Sequence, residues 1–396
     1  MLSGKTVVLA VTGSIAAYKI PNLARMLLKQ GCRVRVLMTE NACRFINPIT
    51  FESLTGSKCL VDTFDRNFQY SVEHVAIAKE ADIVMVAPAS ANVIGKIAGG
   101  IADDMLTTTV MACPCRKIIA PAMNHNMYHN PIVQDNIEKL SRFGYVIVAP
   151  DNGMLANGDT GDGRMPEEET LFQYIMREIH SEKDLAGKHV LVTAGATREP
   201  IDPVRFITNH SSGKMGCAAA YAAMLRGAEV TLVHGHMEVS PPPFVKTVPV
   251  ETAEEMYLAV TAAAGDQDII VKAAAVADYT PAEVASEKIK KSGENMSIPL
   301  KRTKDILAEL GRTKKAGQIL CGFSMETEHL LKNSTAKLVS KNCDMICANS
   351  LKTAGAGFGS DTNVLTLITR GGAEELDLVS KFDAANAIFD RLVKLL

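Results

Sequence analysis

The segment TGSIAAYK, Thr12 to Lys19, sets a turn-forming Gly13 and the Ser14 hydroxyl at the start of a helical pattern. Free amides at such a start can hold a phosphate. The full GxGxxG fingerprint is missing, so a mononucleotide fits better than a dinucleotide. A second polar strand end, APASANVIGKIAGG, puts Ser90 and Asn92 just beyond an apolar run that ends at Pro88. His74, in SVEHVAIAKEAD, carries the side chain best suited to general base work near neutral pH, although a lone histidine is more often structural. PAMNHNMY offers the Asn124 amide and the apolar Met127 to one pocket after another strand. His125 and His129 have the helical spacing of a zinc pair, but the glutamate of HExxH is Asn126, which argues against that site. Cys113 and Cys115 flank Pro114 with no second pair at zinc spacing, so a turn is the simpler reading.

A second set of such residues lies further along. REPIDPVRFITNHSSGKMG makes a polar loop before a helix at Gly213, where Ser211, Ser212 and the first helical amides could hold a phosphate. It is no P-loop, since Gly213-Lys214 is followed by Met215 rather than Ser or Thr. AAAVADYTPA ends a small-residue strand at Asp278, and EKIKKSGE follows with Lys288, Lys290 and Lys291. Flexible ammonium groups can track a triphosphate, although a charge run is usually a solvated loop. Lys337 and Lys341 are four residues apart, on one helix face. GAGFGS, Gly355 to Ser360, does not sit between a strand and a helix, so it is not a dinucleotide site.

These residues need a scaffold, and the apolar pattern supplies one. TVVLAVTG, CRVRVLMT, ADIVMVAPAS, RKIIAPAM and YVIVAP alternate with helical periodicity, the rhythm of a parallel sheet covered on both faces. The rhythm restarts at HVLVTAGAT and continues through AEVTLVHG, DIIVKAAAV, QILCGFSM and DMICANS. The expected fold is therefore α/β, with two doubly wound Rossmann-like domains over residues 1–181 and 187–396 and a charged junction, SEKDLAGK, between them. NVLTLI and LDLVSK around TRGGAEE predict a small antiparallel hairpin in the second domain.

The chain has 396 residues, enough for more than one core. It is 47% hydrophobic and 22% charged with mean hydropathy +0.08, which suits a globular protein and excludes disorder. Lys plus Arg (42) nearly equals Asp plus Glu (44), so no overall field draws nucleic acid or an anionic membrane. The first residues lack the basic segment and long apolar run of an export signal. Nine scattered cysteines form no disulfide framework, and a reducing cytoplasm is expected.

TGSIAAYK, His74, APASANVIGKIAGG, PAMNHNMY and DNGMLANGDTGDGRM, in this order, resemble the flavin-dependent cysteine decarboxylases that include phosphopantothenoylcysteine decarboxylase. The resemblance implies a flavodoxin-like domain with FMN near Gly13, Ser14, Thr39, Ser90 and Asn92, His74 as base and Asn124 on the substrate carboxylate. It also implies the chemistry. An amino-acid carboxylate leaves no stabilised carbanion, so FMN first oxidises the CH2–S unit to a thioaldehyde, whose C=S bond accepts the electrons released with carbon dioxide. The resulting enethiolate must then be reduced. The family motif has a cysteine, as ACGD, where this chain has Asn157, and the resemblance assigns that cysteine the final proton transfer. An amide is no acid of useful strength, so the last reduction is expected to be slow.

TAGATREPIDPVRFITNHSSGKMG, AAAVADY, EKIKK, GFSMET and AKLVSKNCDMICAN resemble the bacterial, CTP-using phosphopantothenate–cysteine ligases. The family resemblance implies that a 4'-phosphopantothenoyl cytidylate forms with Mg2+ on the triphosphate, and that the amine of cysteine then expels CMP. Asn209 would assist that intermediate and Lys288 would be a mobile catalytic cation. Ala273, Ala274, Asp278, Asp305, Ile306, Phe323, Lys337 and Lys341 would form the nucleotide site with Lys288. TKDIL at 303–307 departs from the family's usual NPDIV. The product of this half, 4'-phosphopantothenoylcysteine, is the substrate of the first, and homo-oligomers are expected, with trimeric flavin domains and dimeric ligase domains. A flavin-binding regulatory protein, or a peptidyl-cysteine decarboxylase joined to a nucleotide-binding domain, is the competing reading.

Overall fold

The computed structural model describes residues 2–64, 73–154, 158, 160–180, 183–290, 296–326, 328–350 and 359–396. It divides into two compact units, Met1–Ser181 and Glu182–Leu396. Among the described residues no helix is long and apolar enough to cross a membrane.

In the first unit β1 (Thr6–Val11) leads through a 3-10 turn to α1 (Ile20–Lys29) and β2 (Arg33–Met38). Then come α2 (Glu40–Cys43), α3 (Pro48–Thr55), α4 (Glu73–Glu80), β3 (Ile83–Ala89), α5 (Ala91–Gly99), α6 (Met105–Ala112) and β4 (Arg116–Pro121). The unit closes with α7 (His125–Tyr128), α8 (Pro131–Arg142), β5 (Val146–Ile147), β6 (Asp151–Met154), β7 (Thr160–Arg164) and α9 (Glu168–Ile179). The sheet order β2-β1-β3-β4-β5 is entirely parallel. That is the flavodoxin-like order, whose ligand crevice lies at the carboxyl ends where the order reverses, between β1 and β3. Every residue of β1 and β3 is buried, as strands covered on both faces require.

The second unit runs β8 (His189–Ala194), β9 (Arg198–Pro200), β10 (Phe206–Thr208), α10 (Lys214–Leu225), β11 (Glu229–His234), β12 (Lys246–Pro249), α11 (Ala253–Ala264) and β13 (Ile269–Lys272). It continues with β14 (Tyr279–Pro281), β15 (Leu300–Arg302), α12 (Ile306–Thr313), β16 (Ile319–Glu326), α13 (Leu330–Ser340) and β17 (Met345–Ser350). The last elements are β18 (Thr362–Asn363), β19 (Leu365–Thr369), β20 (Gly372–Glu375), β21 (Val379–Ser380) and α14 (Lys381–Val393). Its main sheet has the order β12-β11-β8-β13-β16-β17-β19-β20. The six parallel strands, counted within the unit, read 3-2-1-4-5-6, the Rossmann order, with its reversal between β8 and β13.

The hairpin differs in register from the sequence expectation. β19 pairs with β20, Thr369 opposite Gly372, so the return strand starts at the Gly-Gly turn itself. Gly372 has φ +138°, which permits that tight reversal. LDLVSK supplies instead β21, which pairs with β18. Because β19 also pairs antiparallel with β17, the hairpin extends the main sheet rather than standing apart.

Candidate functional site

At the reversal point of the first sheet, the buried Thr12 hydroxyl donates to the Pro88 carbonyl at 2.6 Å and accepts the Ser90 amide at 2.9 Å. One side chain thus ties the ends of β1 and β3 together and aims the two following turns into one space. Ser14 caps the 3-10 turn through the Ala16 amide (3.4 Å), Thr39 caps α2 through the Ala42 amide (3.1 Å), and Ser90 caps α5 through the Val93 amide (3.5 Å). Gly13, Ser14, Thr39, Ser90 and Asn92 all line one crevice of about 850 Å³. The lysine on its wall, Lys96, is bound to Asp103 at 2.7 Å and Asp104 at 3.3 Å. An anion in the crevice therefore has hydroxyls and helix-start amides as its main donors.

A second cavity of about 640 Å³ shares Ser14, Ala122 and Met123 with this crevice, so the two adjoin. Asn124 lines it and caps α7, accepting the Asn126 amide at 2.9 Å. β7 closes over this backbone, with the Met123 amide donating to Gly163 O at 3.0 Å. Gly163 has φ +121°, and a Cβ there would lie 2.3 Å from Met123 O, so the approach requires glycine. Lys19 and Arg164 also line the cavity and both pair with Glu167, Lys19 at 2.6 Å. The Lys19 hydrogen bond holds the Glu167 carboxyl below its usual range. His74 stands in the first turn of α4 and lines neither space. Asn157 lies outside the described residues.

The second sheet repeats the device at its own reversal point. The buried Thr193 hydroxyl accepts the Ala274 amide at 3.0 Å, and Thr197 accepts the Ala277 amide at 3.0 Å. Thr303 then donates its hydroxyl to Ala277 O at 2.7 Å. Beyond these anchors opens a crevice of about 430 Å³ whose wall includes Asp278, Asp305, Ile306, Phe323 and Lys337. Lys337 reaches Phe323 O at 3.0 Å, and Lys341 pairs with Asp305 at 2.7 Å from beside the wall. Asp305 also caps α12 through the Ala308 amide. Its carboxyl is below the usual range: burial is the largest influence and opposes this, but the Lys341 and Ala308 hydrogen bonds outweigh it.

Ala273, Ala274 and Lys288 do not line this crevice. Ala274 instead anchors the end of β13 to β8 through its hydrogen bond to Thr193. Asn209 donates to Val276 O at 3.1 Å, and Val276 is on the wall. Lys272, which sequence reasoning passed over, is on the wall and donates to Ala274 O at 3.0 Å. Burial first, and then the Lys337 charge, lower its pKa to about 8. Its position as the last residue of a parallel strand was the available signal. The GAGFGS segment falls mostly outside the described residues.

Two doubly wound units, each with a polar crevice at its reversal point, define a two-centre α/β enzyme. Residues 1–180 match the flavoprotein family model, and residues 185–396 match the model described as DNA/pantothenate metabolism flavoprotein C-terminal domain. The coenzyme A biosynthesis bifunctional protein CoaBC of Bacillus subtilis is 45% identical over 399 residues, covering 100% of this chain and 98% of the relative. The Escherichia coli K12 protein of the same name is 42% identical over 395 residues, covering 99% and 97%. A crystal structure of the C-terminal domain of a CoaBC protein is 41% identical, covers 54% of this chain and 98% of that one, and has a TM-score of 0.47. The chain belongs to the family of coenzyme A biosynthesis bifunctional proteins. It is a bifunctional enzyme, with the decarboxylase in its flavoprotein domain and the ligase in its C-terminal domain.

Proposed function

We propose that residues 187–396 join 4'-phosphopantothenate to cysteine at the expense of CTP, and that residues 1–181 decarboxylate the resulting 4'-phosphopantothenoylcysteine with FMN. The observation that carries the flavin assignment is the single crevice lined by Gly13, Ser14, Thr39, Ser90 and Asn92. Its volume lies within the range of cofactor sites, and its capped helix starts are the donor type that suits a phosphate ester. FMN bound there supplies the hydride chemistry that turns the cysteinyl carbon into an electron sink. Asn124, held as the cap of α7 in the adjoining cavity, positions the substrate carboxylate. Lys19 and Arg164 add positive charge on the same wall. His74 is the base that removes the thiol proton. Since it lines neither cavity of its own chain, the expected trimer of flavin domains has to bring it to a neighbour's site. Mixing His74→Gln chains with Asn124→Ala chains tests this: restored decarboxylation in mixed oligomers supports a shared site, and none refutes it.

In the ligase half Lys272, Lys337 and Lys341 surround the crevice with positive charge, which suits a nucleoside triphosphate. Asp278 and Asp305 give polar acceptors for the base and ribose, and Phe323 gives an apolar wall. Lys288 follows charge at the reacting phosphorus, and Asn209 orients the acyl group. Mg2+ arrives with the triphosphate, held chiefly by phosphate and water. The ligase domains are read as dimers. The cytoplasm is the expected compartment.

The decisive experiment is mass spectrometry of a reaction containing 4'-phosphopantothenate, cysteine, CTP and Mg2+, with flavin absorbance followed in parallel. Phosphopantothenoylcysteine with CMP, and a decarboxylated product, are expected. Absence of any ligated acid would overturn the ligase reading, and ligated acid with no loss of carbon dioxide would overturn the decarboxylase reading.

A further inference from the structure

Among the described residues, one group of side chains of the metal-ligating types belongs to neither crevice. His125 opens α7, His129 follows it at its C-terminal cap, and Asp162 projects from β7. One ligand atom from each of the three lies within 4.8 Å of the others. His129 Nε2 is 3.0 Å from Asp162 Oδ2, and the two imidazole centroids are 4.4 Å apart.

The surroundings hold these groups in place. Asn152, opposite Asp162 in the β6–β7 hairpin, donates to Asp162 Oδ1 at 2.9 Å and so leaves Oδ2 turned to His129. His125 packs against β7: its Nδ1 accepts the Asp162 amide at 3.2 Å, a hydrogen bond that an ion bound at that nitrogen replaces, and a Cβ at Gly161 would come within 2.6 Å of it. Only a residue without a side chain lets the ring seat there.

We propose that His125, His129 and Asp162 form a binding site for a divalent transition-metal ion of the Zn2+ or Ni2+ class. Two imidazoles and one carboxylate are the ligands such ions prefer over Mg2+ or Ca2+, and solvent reaches the site, so water completes the coordination. The HExxH pattern does not apply here, because the third ligand comes from 33 residues further on, across a hairpin. A bound ion ties β7 to α7, and the cap of α7 is Asn124, which lines the cavity beside the flavin crevice. The ion is thus a clip that fixes the hairpin over Asn124.

The test uses the full-length FMN-loaded protein without a histidine tag, stripped with chelator and kept reduced. Zn2+ is titrated by calorimetry into wild type, His129→Ala and Asp162→Asn. Cysteine thiols also bind zinc, so the reading is the difference between chains. One equivalent per chain should weaken at least ~10-fold in each variant, while flavin absorbance shows that the fold is kept. Equal stoichiometry and affinity in all three chains, or no zinc bound by wild type at submillimolar concentration, overturns the site. In wild type alone, Zn2+ should protect His125 and His129 from diethyl pyrocarbonate, read by peptide mass. If both histidines are modified equally with and without Zn2+, the proposal fails whatever the variants do.

Discussion

Asp202 accepts the backbone amide of Ile289 at 3.1 Å, across 87 residues of sequence. The carboxylate has no solvent exposure, and Arg205, which it binds, also donates to Ile289 O at 2.9 Å. Both backbone groups of the residue after Lys288 are therefore clamped by one ion pair. Asp202→Ala should free this segment, raise tryptic cleavage after Lys288 and Lys290, and lower ligase turnover on the order of tenfold, while decarboxylation of supplied phosphopantothenoylcysteine continues. Unchanged cleavage would show that the clamp does not position Lys288.

The same clamp has a defined pH range. The Arg205 hydrogen bond, followed by the backbone amides, holds the Asp202 carboxyl well below the usual carboxylate range despite its burial. A depressed acid stabilises the fold at pH above its unfolded value, ~4, and loses that contribution as pH falls through the folded one. The tryptic pattern near Lys288 should therefore be the same at pH 8 and pH 5.5. A rise in cleavage on acidification within that span would contradict the assignment.

Thr12 joins two strand ends through its hydroxyl, at no solvent exposure. Thr12→Val keeps the shape but leaves the Pro88 carbonyl and the Ser90 amide without this partner. The expected loss is about 1–3 kcal/mol of stability, together with weaker flavin retention because the Ser90 turn is no longer fixed. Thermal melting and the fraction of flavin released on gel filtration measure the two effects. Thr193→Val should cost as much in the second unit but leave flavin binding alone.

What could be read in the sequence follows from distance along the chain. The runs that became β1, β3, β8 and β13 are short, continuous and apolar, and buried parallel strands announce themselves that way. Ser14 and Ser90 were visible because a capping hydroxyl stands next to the helix it starts. Local pattern could not show that Thr12 reaches Pro88, that Asp202 reaches Ile289 or that Asp162 meets His129, since each pair is assembled by strand order. The hairpin register is hidden for a related reason: the apolar LDLVSK is more strand-like than the exposed GAEE, yet the turn at Gly372 decides which residues face β19. Lys272 had no charged neighbour in sequence, and its perturbation comes from burial and from Lys337 on another element.

Lys272 makes the ligase crevice pH-dependent. Its pKa is lowered to about 8, so below that pH the folded protein carries an ammonium that its surroundings disfavour. For a depressed lysine the penalty is present at low pH and is relieved as pH rises from the folded value toward the unfolded one, ~10.4. A triphosphate favours the charged form and reverses the preference. CTP affinity should therefore fall on the order of tenfold between pH 7 and pH 9.5, and Lys272→Met should bind CTP weakly at both while melting higher than wild type at pH 7. Binding that does not change with pH in wild type would show that Lys272 does not meet the nucleotide.

Asn157 bears on whether the decarboxylase half finishes its reaction. The resemblance of the motif to the cysteine decarboxylases implies a cysteine at this place, and a thiol can give up a proton to the enethiolate carbon as hydride returns. An amide hydrogen-bonds but does not ionise in the useful range, so it cannot take that part. The expected product of this chain is decarboxylated but two hydrogens short of phosphopantetheine, with the flavin remaining reduced. Asn157→Cys should restore the saturated thiol and reoxidise the flavin in each cycle, and both changes can be followed by product mass and by absorbance during a single turnover. If the unaltered chain releases saturated phosphopantetheine at the rate of Asn157→Cys, another group or solvent is the donor, and the position does not control the final step.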